Sequence, residues 1–113
     1  MKVFRQGDVI LIECLKRPSA AATVVVDRGR TILAYGEVTG HAHEVVTAGE
    51  VALDDVVPTQ QLFQEADGSR LLVCRVPCML THQEHSVIAL DATTYEVRKQ
   101  TEWSRDQARQ VAD

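Results

Sequence analysis

Short apolar runs that alternate with polar residues, each ended by turn residues, dominate this chain. Residues 9–12, 23–26 and 31–39 are rich in β-branched side chains. Residues 95–103 place aromatic side chains on one face and charged side chains on the other. A period of two is typical of strands, because successive side chains point to opposite faces of a sheet. The pattern therefore predicts an all-β chain with eight or nine short strands.

The clearest predicted hairpin lies at residues 61–76. Its two apolar runs flank Asp67-Gly68, a dipeptide that supplies the positive φ of a tight hairpin turn. Antiparallel strands of this length can bury one face and cover their edges in a sandwich, a jelly roll or a small barrel. These three architectures are the fold classes that the pattern favours.

The C-terminal end is the one segment with a helical pattern. Ser104 can cap a first turn, and Ala108 and Val111 recur at helical spacing. This predicts a short helix over residues 104–112. The 113 residues contain no linker and no repeat. A chain of this length is typical of one domain, so we expect residues 1–113 to fold together.

Charge and apolar content narrow the expected partners and location. The 12 Lys and Arg against 16 Asp and Glu leave a net charge of −4, without the basic patch of a nucleic-acid binder. No apolar run approaches the roughly 20 residues that cross a bilayer, so no membrane partner is expected. The first residues lack the apolar core of a signal peptide, which favours a cytoplasmic location. There, Cys14, Cys74 and Cys78 should be reduced and serve as small buried hydrophobic residues.

All four histidines fall between residues 41 and 85, and they come in two pairs. The first pair is His41 and His43, separated by one residue. Residues two apart on a strand point to the same face, so these two imidazoles are predicted to lie side by side. A β-scaffold holds a metal ion with pairs of this kind.

The second pair, His82 and His85, has two interpretations. A spacing of three residues on a straight strand sends the two rings to opposite faces, so only one would reach the site. In a turn, both rings could converge and Glu84 could add a carboxylate. The candidate catalytic groups are Glu84 and Glu44. The acidic residues that could hold the second ring nitrogens of the ligands are Glu37, Glu44, Glu84 and Asp91.

Two or three imidazoles with a carboxylate and an open position are typical of catalytic zinc and non-haem iron. We therefore expect a divalent metal, zinc or iron, held by the histidines at positions 41, 43, 82 and 85. A metal at an open site could support hydrolysis of a small-molecule ligand or oxygen chemistry on it.

Two other functions fit the same residues. The chain could be a non-catalytic interaction module or assembly subunit, in which an exposed strand edge pairs with a partner protein or with a second copy. The histidines would then bind structural zinc or nothing. Alternatively, two histidines could act as general acid and base without metal, as in phosphodiester cleavage, with Arg98 or Lys99 steadying the negative charge.

The stretch Gly-Glu-Val-Thr-Gly-His-Ala-His, residues 36–43, resembles the first conserved motif of cupins. In that motif a glycine precedes a His-x-His pair on a jelly-roll strand. This chain has four residues between Gly36 and His41 where cupins have five, and it lacks the following glutamate at positions 47 and 48. The second cupin motif, with Pro-x-Gly and one histidine, has no counterpart around residues 82–85.

A fuller resemblance is to small uncharacterised bacterial and phage-encoded proteins. They share an Arg-Gln-Gly-Asp-Val start, here residues 5–9, and the Gly-Glu-Val-Thr-Gly-His-Ala-His core. They also share His-x-Glu-His at residues 82–85 and a Tyr-x-Val-x-x-Gln-x-Glu segment at residues 95–102. The resemblance spans nearly the whole chain and implies that the two histidine pairs belong to one site.

Overall fold

The computed structural model describes residues 1–36, 39–49 and 58–100. Within these ranges the chain forms ten β-strands and no helix, which confirms the all-β prediction. The strands are β1 (Val3–Gln6), β2 (Val9–Cys14), β3 (Thr23–Val25), β4 (Thr31–Tyr35), β5 (Ala42–Thr47), β6 (Gln60–Gln64), β7 (Arg70–Cys74), β8 (Cys78–Thr81), β9 (Ile88–Leu90) and β10 (Thr94–Lys99). The helix predicted over residues 104–112 lies outside the described residues.

The strands form two antiparallel sheets. The larger sheet has the order β1-β2-β10-β7-β6-β3, and the smaller has the order β4-β5-β8-β9. Several neighbours are distant in sequence: β10 pairs with both β2 and β7, and β5 pairs with β8. The two sheets pack face to face in a sandwich-like arrangement.

The hydrophobic core lies between the two sheets. Its members from the larger sheet are Val9, Leu11, Leu62, Leu72, Cys74, Tyr95 and Val97, and those from the smaller sheet are Leu33, Ala34, Val45, Cys78, Leu80 and Leu90. Cys74 and Cys78 are buried, as predicted for small hydrophobic residues. Burial of so many aliphatic side chains supplies the main favourable free energy of folding.

The predicted runs and the observed strands can be compared at their ends. The run predicted over residues 31–39 ends as a strand at Tyr35, and residues 39–40 form a turn before β5. The amide of Gly36 donates to the carbonyl of His41 at 2.9 Å and closes this connection. The predicted hairpin at residues 61–76 is confirmed as β6 and β7, and Gly68 has a φ of 89° in its turn.

No helix among the described residues is long and apolar enough to cross a membrane.

Candidate functional site

The four histidine rings meet at one end of the sandwich. The ring centroid of His82 lies 5.6 Å from that of His41, 4.4 Å from that of His43 and 4.6 Å from that of His85. The rings of His43 and His85 are 5.9 Å apart and stacked. The structure thus brings together all four predicted metal ligands, and we call them the histidine cluster.

Strand pairing explains how the two histidine pairs meet. In the antiparallel ladder of β5 and β8, Val45 lies opposite Leu80 and Glu44 lies opposite Thr81. One step further along the same register, His43 faces His82. After Thr81 the chain leaves the strand and bends, so that His85 returns towards His82 instead of pointing to the other face. The turn interpretation of the second pair is the one that the structure shows.

The hairpin turn between β1 and β2 closes the cluster from the larger sheet. Gln6 pairs with Val9, so Gly7 and Asp8 form a two-residue turn, and the positive φ of 59° at Gly7 suits glycine at its first position. A Cβ atom on Gly7 would lie 3.0 Å from His85 Nε2 and 3.1 Å from His43 Cε1. The backbone approaches the two rings this closely because Gly7 has no side chain.

Gln6 fixes the orientation of His43. The Gln6 side chain is buried, and its Nε2 donates to the carbonyls of Leu80 and Ser86, both at 3.0 Å. Its Oε1 must therefore be the acceptor in the 2.9 Å bond with His43 Nδ1. The neutral imidazole then carries its proton on Nδ1, and the lone pair of Nε2 is free.

His82 has the opposite tautomer. Its Nδ1 accepts a hydrogen bond of 3.0 Å from the backbone amide of Glu84. A neutral ring whose Nδ1 accepts must carry its proton on Nε2. This Nε2 lies beside Gly36, where a Cβ atom would approach it to 3.2 Å.

Two carboxylates border the histidine cluster. Asp8 Oδ1 lies 3.5 Å from His43 Nε2, and Glu84 Oε1 lies 3.6 Å from His41 Nδ1. The Asp8 side chain is 50% exposed and that of Glu84 is 62% exposed, so the cluster is open to solvent on this side. Glu84 was a predicted site residue.

Sequence reasoning missed Gln6 and Asp8. Both belong to the Arg-Gln-Gly-Asp-Val stretch at residues 5–9, the one signal in the sequence that could have pointed to them.

The other predicted acidic residues do not reach the histidine cluster. Glu44 follows His43 on β5 and therefore points to the outer face, where its Oε1 pairs with Arg30 Nη2 at 2.7 Å. Asp91 pairs with Lys2 at 2.7 Å. Glu37 lies outside the described residues.

Burial and mutual repulsion keep part of the histidine cluster neutral. Burial, followed by the neighbouring His82, lowers the pKa of His43 to about 4, and Asp8 opposes this shift. Desolvation, then His85 and His41, lowers the pKa of His82 as well. Both rings are therefore uncharged at pH 7, which is the form that can bind a metal or accept a proton.

Across residues 1–36, 39–49 and 58–100, no group of three or more His, Cys, Asp or Glu side chains is already arranged to hold a metal ion. The histidine cluster is therefore not a preformed metal site.

Comparison with known proteins gives one match. The model of a family described as a domain of unknown function (DUF8820) matches residues 5–100. The matched segment includes the Gly7-Asp8 turn and all four histidines. No curated protein and no solved structure matches the chain.

Proposed function

Because the chain belongs to the DUF8820 family, whose description names no activity, we propose a function from the site's own chemistry: the histidine cluster binds a divalent metal, zinc or iron. The observation that carries the proposal is the position of two ring nitrogens. The Nε2 atoms of His43 and His85 lie within 3.4 Å of the point where a Gly7 Cβ would stand. Both nitrogens therefore border the same point beside the Gly7-Asp8 turn, and imidazole nitrogen is a ligand that suits zinc and iron.

The contact between Gln6 and His43 supports this proposal. A metal-binding histidine usually donates its other ring N–H to a fixed acceptor, which sets the tautomer and aims the lone pair at the metal. Gln6 is such an acceptor, since its amide nitrogen is committed to two carbonyls. Because the pKa of His43 is lowered to about 4, protons do not compete with a metal ion for its Nε2 near pH 7.

The exposed carboxylates suggest what a bound metal could do. Asp8 and Glu84 are at least half exposed, so water can reach the cluster beside them. A metal with an open position lowers the pKa of a bound water towards about 7 and polarises a substrate oxygen. We therefore propose hydrolysis of a small molecule as the reaction class, with Glu84, a predicted acidic residue that borders the histidine cluster, as the general base.

Metal analysis of protein purified without a histidine tag tests the binding proposal. We expect about one zinc or iron per chain, lost in the double variant His43→Ala, His85→Ala. Glu44→Gln is the matched control, because Glu44 is the neighbour of His43 but points to the opposite face and pairs with Arg30. Equal metal content in the double variant and the control would contradict the proposal.

A metal-free acid–base function is the second candidate. The two imidazole–carboxylate pairs, His43 with Asp8 and His41 with Glu84, favour it. Arg98, the predicted partner of a phosphate, donates instead to Glu96 at 2.9 Å. Cleavage of a short RNA that persists in chelator and disappears in His41→Ala would support this candidate over the metal site.

A further inference from the structure

We propose that the metal is held by His43, His85 and Asp8, and that His82 stays outside its coordination sphere. The inference rests on the proposed function and specifies its ligand set. It adds a carboxylate that the histidine pattern does not reveal, and it removes one of the four histidines that the pattern suggests.

The first step is the position of Asp8. The two-residue turn places Asp8 directly after Gly7, and its Oδ1 lies 3.5 Å from His43 Nε2. The same Nε2 and that of His85 are the ring nitrogens closest to Gly7. Two imidazole nitrogens and one carboxylate oxygen therefore lie on one side of the cluster, around this turn.

The second step is the difference in tautomer between His43 and His82. His43 holds its proton on Nδ1 through Gln6, so its Nε2 can donate a lone pair to a metal. His82 uses its Nδ1 to accept the Glu84 amide, so its Nε2 carries a proton and has no lone pair in the ring plane. That protonated nitrogen lies beside Gly36, whereas the three atoms nearest to a Cβ on Gly7 belong to His85 and His43.

The third step is the chemistry of the resulting set. Two histidines and one carboxylate on one face of an ion leave the opposite positions open, which suits non-haem Fe²⁺ and similar divalent ions. The open positions would take water or a small ligand with oxygen donors. The set differs from a closed structural zinc site, which fills all four positions with protein ligands.

Binding of Co²⁺ alone to the purified protein tests the inference, with affinity read from its visible absorption. Loss of a supporting partner costs roughly 10- to 100-fold in metal affinity, so loss of a ligand should cost about 100-fold or more. We expect this loss in Asp8→Asn. We expect less than about a tenfold loss in His82→Asn, since an asparagine side chain can still accept the amide two residues on.

Two results separate this inference from the proposed function. If wild-type protein binds Co²⁺ tightly but Asp8→Asn binds equally well, or His82→Asn loses as much affinity as His43→Asn, the ligand set is wrong and the metal site stands. If wild-type protein does not bind Co²⁺, both proposals fall. Asp8 is half exposed, so its variant should fold normally, and a circular dichroism spectrum checks this.

Nitrogen-15 NMR of the metal-free protein provides a readout that does not depend on affinity. We expect the proton on Nδ1 of His43 and on Nε2 of His82. A proton on Nδ1 of His82 would overturn the assignment, because that ring could then bind metal through Nε2.

Discussion

Gly7 meets two requirements at one residue, a positive φ and the absence of a Cβ atom. Replacement with alanine places a residue in the left-handed region, which costs about 1–2 kcal/mol. It also places a methyl group 3.0 Å from His85 Nε2. Gly68 also has a positive φ, 89°, but a Cβ atom added there would meet no heavy atom within 4 Å. A substitution at Gly68 therefore tests the cost of the positive φ alone, without a steric clash.

We predict that Gly68→Ala lowers the free energy of unfolding by about 1–2 kcal/mol and that Gly7→Ala lowers it by more. Urea unfolding of metal-free protein at pH 7.5 measures both. Equal losses in the two variants would show that the histidine rings move aside without cost.

The low pKa of His43 predicts a pH-dependent stability. Its pKa falls from an ordinary 6.5 to about 4 in the folded chain, so between these values the unfolded chain binds more protons. Stability is then fully present above pH 6.5 and decreases as the pH falls towards 4. The loss should be on the order of 3 kcal/mol, since one pKa unit corresponds to about 1.4 kcal/mol.

Urea unfolding at pH 7.5 and pH 5.0 measures the part of this loss that falls between pH 6.5 and 5.0, about 2 kcal/mol. His43→Gln should lose less stability than wild type over the same interval, because it removes the group that titrates. His82, whose pKa is also lowered, should account for part of the remaining dependence. An identical pH dependence in wild type and His43→Gln would contradict the prediction.

Sequence identified the histidines but not the residues that orient them. The histidines are few and fall in two pairs, so they stand out in the chain. Gln6 and Asp8 are common residue types in an ordinary turn, and their role comes from packing against residues about 35 to 80 positions away. Contacts between positions this far apart leave no pattern within a short stretch of sequence.

At the scale of strands, alternation and turn residues predicted most of the elements. β2, β3, β4, β6, β7 and β10 lie within or close to the predicted runs. The sequence pattern predicted β5 and β8 less clearly. In β5 a polar residue, His43, lies on the buried face, and β8 has only four residues. His43 can be buried there because Gln6 satisfies its Nδ1.

The connection from β7 to β8 predicts the order of thiol reactivity. Cys74 ends β7 and Cys78 begins β8, and both side chains lie in the core, whereas Cys14 is partly exposed. The hydrogen bond with Cys78, followed by burial, raises the pKa of Cys74, which suppresses the reactive thiolate.

We therefore predict that iodoacetamide modifies Cys14 first in folded protein, and that Cys74 reacts only on unfolding. Peptide mapping by mass spectrometry over time measures the order. Simultaneous modification of Cys14 and Cys74 without denaturant would show that the two sheets separate readily at this connection.

At the scale of the whole molecule, the sequence predicted antiparallel sheets but not their order. β10 inserts between β2 and β7, and β8 pairs with β5 across a long gap in sequence. Such pairings depend on the packing of all the strands together, and the alternation within one strand does not identify its neighbours.

Metal binding should stabilise the whole sandwich, because the proposed ligands come from both sheets. At free Zn²⁺ of 100 times Kd, the free energy of unfolding should rise by about 2.7 kcal/mol. Chelator should reverse this gain and leave a folded protein, since the apolar core does not depend on the cluster. Thermal unfolding measures both effects. The same gain in His43→Ala, His85→Ala would place the metal elsewhere.

The bonds of Gln6 join positions that are 37 and 74 residues apart along the chain. Contacts of this range form late, after the loops between them have closed. During synthesis, the first histidines therefore leave the ribosome before the histidine cluster can form. An ion bound by the complete ligand set would therefore be taken up only after residues 6–86 have been synthesised and the two sheets have packed together.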